Sequence, residues 1–142
     1  MPDGSKPISD VDEEAKKLII ELMGDEPSGG FDVDSIYYIN GRGWVVMEFL
    51  KCDTVRPFNS HPNRYWYKNK QKFLSLWRLA TDLDGELILV NYENSREQFK
   101  VIEIEELDEE RIQEDTQRKM NKEQFREYFV DLNRSARGVS DN

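Results

Sequence analysis

A chain of 142 residues with a net charge of −9 has room for one domain of ordinary size, and its 37% hydrophobic content suffices for a core. The acidic balance argues against a protein that coats nucleic acid through bulk positive charge. The single cysteine, Cys52, excludes an intrachain disulfide and a cysteine-rich zinc site, and no stretch has the length and apolarity of a membrane helix. We therefore expect a cytoplasmic protein that does not bind membranes.

The charges are distributed unevenly along the chain. Residues 1–50 carry four basic and eleven acidic side chains, and residues 81–142 carry nine and seventeen. Residues 51–80 instead carry seven basic side chains and one acidic side chain, Asp53. This basic middle segment is either a solvated helix face or a surface that contacts phosphates.

The first predicted element is an amphipathic helix. Ser9 and Asp12 form a capping-box pattern, apolar residues follow at helical spacing, and Gly24 ends the run. Residues 25–30 are rich in Gly, Pro and Ser and predict a loop. Residues 1–8 should be flexible.

A β-hairpin follows this loop. Two runs of β-branched and aromatic residues, 35–39 and 44–50, flank a short segment that begins Asn-Gly. An Asn-Gly pair between such runs is a strong hairpin signal. The second run is almost continuously apolar, which is typical of a central strand covered on both faces, and Glu48 is its one charged interior residue.

A long helix is predicted over residues 63–83, ahead of a buried strand at 86–92. Because a helix that leads directly from one strand to the next typically forms a crossover, the second hairpin strand and residues 86–92 should pair in parallel. A further strand is expected at 99–104, and Asn121 caps a short terminal helix. The highly charged segment 105–119 has no predicted element.

Together these elements predict an α/β (α+β) fold in which a mixed central sheet contains the hairpin and is joined by a crossover helix. A short C-terminal helix completes the fold. We expect a single domain over residues 9–133 and a disordered tail over residues 134–142.

The register of the hairpin decides where its acidic residues meet. Asp32 and Asp34 precede the first strand. A three-residue loop, in which Ile39 faces Gly43, places Asp34 opposite Glu48 on one face of the sheet. A two-residue loop would turn Asp34 to the other face.

Two carboxylates held side by side repel each other, so they usually share a cation or a proton. An all-oxygen pair with open positions suits Mg²⁺ or Mn²⁺, which retain several waters and bridge to phosphate. The matching chemistry is metal-assisted phosphodiester hydrolysis, with a nearby lysine stabilising the transition state. Asp34 and Glu48 are therefore the candidate metal ligands.

The order of elements over roughly residues 9–104 resembles the PD-(D/E)XK nuclease superfamily. This order is a helix, an Asp-bearing hairpin with the run Glu48-Phe49-Leu50-Lys51, a basic helix and a strand. The resemblance implies a restriction-endonuclease-like core in which Asp34 is the first acid, Glu48 the second acid and Lys51 the lysine. It also implies an auxiliary polar role for Gln71. Val33 stands where the motif has proline.

The lysine departs from the motif, because the sequence reads Glu-x-x-Lys instead of Glu-x-Lys. In a regular strand Glu48 and Leu50 share a face while Lys51 points to the other face, so Lys51 can rejoin Glu48 only through a bulge. Lys70 is the second candidate, because it lies in the apolar stripe of the predicted helix and should point toward the sheet. Its alternative is to extend along the helix to water. A third alternative is that the site has no lysine.

Basic and aromatic side chains alternate around the start of this helix. Tyr65 and Tyr67 could stack on bases or belong to the core, whereas Trp66 is predicted to be a core residue. His61, in a Pro-containing loop, is either structural or a proton acceptor. The predicted nucleic-acid contacts are Arg56, Arg64, Lys68, Gln71 and Lys72.

Two functions follow from these features. The first is a Mg²⁺- or Mn²⁺-dependent endonuclease, which at this size would act as a homodimer or with a protein partner. The second is a non-catalytic interaction protein that binds a basic partner through its acidic surface. That protein would keep the nuclease-like scaffold without a working lysine. A third alternative is an α/β domain whose carboxylates are surface charges. For Glu48 alone, the alternative to a metal site is a salt bridge to Lys51, Arg56 or the basic helix.

Overall fold

The computed structural model describes residues 13–138 of the chain. The chain divides into two compact units, residues 1–31 and 32–142. In the first unit, helix α1 spans Glu13–Met23, and Gly24 follows it with a φ of 57°, a left-handed conformation that glycine adopts without strain. The predicted cap at Ser9 and Asp12 and the predicted flexible residues 1–8 lie outside the described residues.

The second unit contains a five-stranded mixed sheet, which confirms the predicted mixture of helices and strands. The strand order across the sheet is β1-β2-β3-β4-β5. Neighbouring strands are antiparallel except β2 and β3, which are parallel. The strands are β1 (Ser35–Ile39), β2 (Gly43–Lys51), β3 (Glu86–Tyr92), β4 (Phe99–Leu107) and β5 (Ile112–Met120).

The hairpin has the three-residue loop and the predicted register. Ile39 pairs with Gly43, and Gly43 has a φ of 101°, which a residue with a side chain rarely adopts. Ser35 pairs with Met47, so Asp34 lies opposite Glu48. The strand β2 lies inside the sheet between β1 and β3, in agreement with its almost continuous apolar sequence.

Helix α2 (Trp66–Asp82) covers one face of the sheet and is the predicted crossover between the parallel strands β2 and β3. Two short 3₁₀ turns, Pro57–Asn59 and Pro62–Tyr65, precede it. One side of α2 is buried against apolar side chains of β2, β3 and β4. These buried helix residues are Trp66, Phe73, Leu76 and Ala80.

Helix α3 (Lys122–Ala136) packs on the opposite face of the sheet. Asn121 and Gln124 form a reciprocal capping box at its start, which confirms the predicted N-terminus. Phe125 stacks on Phe99 of β4 with ring centroids 4.4 Å apart. The helix extends into the segment predicted to be disordered, whose residues 139–142 lie outside the described part of the chain.

The strand β5 has no counterpart among the predicted elements. Its sequence, IQEDTQRKM, lacks an alternating apolar pattern because most of its side chains are exposed at the edge of the sheet. Ile112 alone is buried in this strand. In residues 13–138 we find no helix long and apolar enough to span a membrane.

Candidate active site at the open end of the hairpin

The carboxylates of Asp34 and Glu48 each accept a hydrogen bond from a backbone N–H across the hairpin, where the ladder between β1 and β2 ends. The Glu48 carboxylate accepts a hydrogen bond of 3.2 Å from the backbone N–H of Asp34. The Asp34 carboxylate accepts one of 2.8 Å from the backbone N–H of Phe49. These two bonds hold both carboxylates at the same end of the hairpin, as the predicted register requires.

Glu48 is a buried carboxylate, with a side chain only 2% exposed. Burial raises the pKa of Glu48, and the negative charge of Asp34 raises it further. A hydrogen bond from Lys72 acts in the opposite direction. The site therefore consists of two interacting carboxylates with one ammonium group beside the buried one.

The lysine that reaches Glu48 is Lys72, on helix α2. Its Nζ forms a salt bridge with Glu48 Oε2, and its side chain is 38% exposed. Lys72 was predicted as a phosphate contact, and the predicted alternative of a salt bridge from Glu48 to the basic helix did not name this lysine. The signal in the sequence is its position four residues before the buried Leu76, which places it at the edge of the buried side of the helix.

The two lysines predicted to join Glu48 lie elsewhere. Lys51 Nζ is 3.7 Å from Asp53 in an exposed ion pair. Lys70 lines a separate surface hollow with Gln71 and Arg78. Of the three lysines, Lys72 is the one that forms an ion pair with Glu48 in the described part of the chain.

A cleft of about 240 Å³ opens beside Glu48, between the end of β2 and the start of α2. Charged, hydroxyl and amide groups line it together with apolar side chains. Such a mixture of apolar wall and convergent polar groups is typical of small ligand sites. Its polar lining includes Glu48, Lys51, Tyr65, His61, Lys72 and Asn91.

Both ring nitrogens of His61 are occupied. Nδ1 accepts a hydrogen bond of 3.0 Å from the backbone N–H of Asn63, and Nε2 lies 2.7 Å from Asp115 of β5. Of the two predicted roles, this geometry favours the structural one, because a proton acceptor needs a free nitrogen. Asp115 was not anticipated, since β5 itself was not predicted.

The predicted nucleic-acid contacts differ in whether their side chains are bound by carboxylates or exposed to solvent. Arg56 donates to Glu93 through two nitrogens, at 3.0 and 2.7 Å, and also to Glu97 at 3.0 Å. This guanidinium, with Ser95, lowers the pKa of Glu93 to about 2. Arg56 thus ties the chain after β2 to the β3–β4 loop. The contacts exposed on or next to α2 are Arg64, Lys68 and Gln71.

The donor set at Asp34 and Glu48 suits a hard cation with several waters. Each carboxylate has one oxygen bound by a backbone N–H, and the second oxygen of Glu48, Oε2, is paired with Lys72. Asp34 Oδ1 accepts no hydrogen bond from residues 13–138. Those residues contain no group of three or more His, Cys, Asp or Glu side chains that could hold a metal. Waters would therefore complete the coordination of an ion bound here.

Comparison of the chain with protein-family models, with curated proteins and with solved structures gives no match.

Proposed function

We propose that this protein is a divalent-metal-dependent phosphodiesterase that acts on nucleic acid, with a restriction-endonuclease-like core and a cytoplasmic location. The observation that carries the proposal is the cluster of Asp34, Glu48 and Lys72 beside a cleft. An ion pair can form entirely at the surface, so ion pairing alone does not require a buried carboxylate. Burying Glu48, whose side chain is 2% exposed, next to a second acid lowers the stability of the fold. Perturbed groups of this kind concentrate at functional sites.

In this proposal each residue has a separate role. Asp34 and Glu48 would hold Mg²⁺ or Mn²⁺ through their carboxylate oxygens. The bound ion would supply an activated water and offset the charge that develops on the phosphate. Lys72 would place a fixed positive charge at the reacting phosphate, in the role that the motif resemblance assigned to Lys51 or Lys70.

The test is cleavage of labelled DNA and RNA by the purified full chain with Mg²⁺ or Mn²⁺. Lys72→Met and Asp34→Asn should each lower the rate about 100- to 1,000-fold, the usual loss for one electrostatic contact to a transition state. Lys122→Met, on the far face of the sheet, and Asp32→Asn are the matched controls and should retain the wild-type rate. Metal-dependent cleavage that survives both site substitutions would eliminate this site.

One observation favours a second function, a non-catalytic interaction protein. Glu48 forms a salt bridge with Lys72 of the basic helix, which is the predicted alternative to a metal site at Glu48. Such a protein would bind a basic partner through its acidic surface. Titration calorimetry with Mn²⁺ separates the two functions: heat of binding that Asp34→Asn abolishes supports the nuclease, and its absence from the wild type supports the interaction protein.

A further inference from the structure

Three consecutive aromatic residues at the start of α2 have opposite environments. Trp66 is 3% exposed, packs on Phe73 and donates its indole N–H to the Glu109 carbonyl at 3.3 Å. Its neighbours Tyr65 and Tyr67 are 45% and 87% exposed. Trp66 therefore anchors the segment in the core, and the two tyrosines on either side of it are held on a rigid support with their rings accessible to solvent.

The two tyrosines border the candidate active site. Tyr65 lines the cleft beside Glu48, and Tyr67 lines a shallow hollow next to it. His61 lines both depressions, so they adjoin at this residue. Thr54 lies 3.0 Å from the Tyr65 hydroxyl and fixes the position of that ring at the mouth of the cleft. A chain that crossed Tyr67 and Tyr65 would lead into the cleft that Glu48 and Lys72 line.

The surface around the tyrosines is the basic part of the chain. No Asp or Glu occurs between residues 54 and 81. The guanidinium of Arg64 lies 5.7 Å from the Tyr65 ring centroid, and Lys68 follows Tyr67. Neither Arg64 nor Lys68 forms a salt bridge with another described residue, whereas Arg56 is occupied by two carboxylates.

Further along α2, the positions three and four residues after Tyr67 are Lys70 and Gln71, and both line a hollow that also includes Arg78. Residues at this spacing lie on one side of a helix. Three acidic residues, Glu109, Glu110 and Asp115, border these hollows, and Asp115 is paired with His61. The positive charge is therefore limited to a narrow strip along α2.

We propose that Tyr65 and Tyr67 form a stacking platform for unpaired bases, with Arg64 and Lys68 contacting the adjacent phosphates. The substrate class is then single-stranded nucleic acid, and this inference rests on the proposed function. Every base has a π-face, so such a platform binds without regard to sequence. Bases within a duplex stack on one another and cannot offer that face until they leave the helix.

The experiment measures binding without cleavage. Fluorescence anisotropy of the full chain in EDTA compares labelled oligothymidylate, oligouridylate and a duplex of equal length. We expect both single strands to bind about tenfold or more tightly than the duplex. Tyr67→Ala should weaken single-strand binding about 5- to 160-fold, the range for loss of one stacked base, and Tyr67→Phe should retain the wild-type affinity.

Controls separate stacking from folding and from charge. Tyr38→Ala removes another exposed tyrosine, 53% exposed at the turn end of the hairpin, and should bind like the wild type. Arg64→Gln should reduce the slope of log affinity against log salt by about 0.7, the value for one single-strand phosphate contact.

Equal affinity for duplex and single strand, or wild-type affinity in Tyr67→Ala, would overturn the stacking platform. Because EDTA removes the metal, failure of the nuclease proposal would appear as absent cleavage with binding intact. Failure of the platform alone would appear as cleavage without single-strand preference.

Discussion

The ion pair between Lys72 and Glu48 makes a prediction about stability. Lys72→Met leaves Glu48, 2% exposed, beside Asp34 without a cation. Breaking a fully buried pair costs about 3–5 kcal/mol. Because the Lys72 side chain is 38% exposed, and Glu48 keeps its bond from the Asp34 N–H, we expect a smaller loss of about 2 kcal/mol in the free energy of unfolding at pH about 8.

The loss should depend on pH in a defined direction. Burial already raises the pKa of Glu48 above its ordinary value of 4.5, and removing Lys72 raises it further. A carboxyl with a higher pKa in the folded state binds more protons when folded, so the penalty is absent below the unfolded pKa and grows as pH rises through the folded pKa. The loss should therefore be nearly absent at pH about 4.5.

Urea unfolding followed by circular dichroism measures both values, with Lys68→Met as the exposed control on the same helix. Adding Glu48→Gln to Lys72→Met should recover about 1 kcal/mol, because it removes the unpaired buried charge. An equal loss at both pH values, or a loss no larger than that of Lys68→Met, would refute the view that Lys72 compensates the buried charge of Glu48.

Two further predictions concern the framework around the site. Gly85→Ala would place a Cβ 2.5 Å from the Trp44 carbonyl oxygen, so it should lower the free energy of unfolding by about 2 kcal/mol or more. In the same urea titration the control Gly29→Ala, whose Cβ would have no atom within 4 Å, should stay within about 0.5 kcal/mol of the wild type. The folded pKa of Glu93, about 2, lies below its ordinary value of 4.5, so its contribution to stability is present above pH 4.5 and is lost as pH falls toward 2. Arg56→Gln should flatten this part of the stability profile, and an unchanged acid profile would contradict the assignment.

Much of the candidate site could be predicted because it depends on local rules. The Asn-Gly turn and the alternation of side chains along a strand determine that Asp34 and Glu48 share a face once the loop length is chosen. The burial of Trp66 also follows from helical spacing. The strand β5 could not be predicted in the same way, because an exposed edge strand has no hydrophobic pattern to reveal it.

By itself, the sequence determined the hairpin, its acidic pair and a basic helix that crosses over to a parallel strand. The tertiary structure alone decided which lysine meets Glu48. Lys70 and Lys72 are two positions apart on α2, so they point about 200° apart around its axis, and either can face the sheet depending on how the helix is rotated. That rotation is set by the packing of Phe73 and Leu76 against the strands, which brings Lys72 to the buried carboxylate.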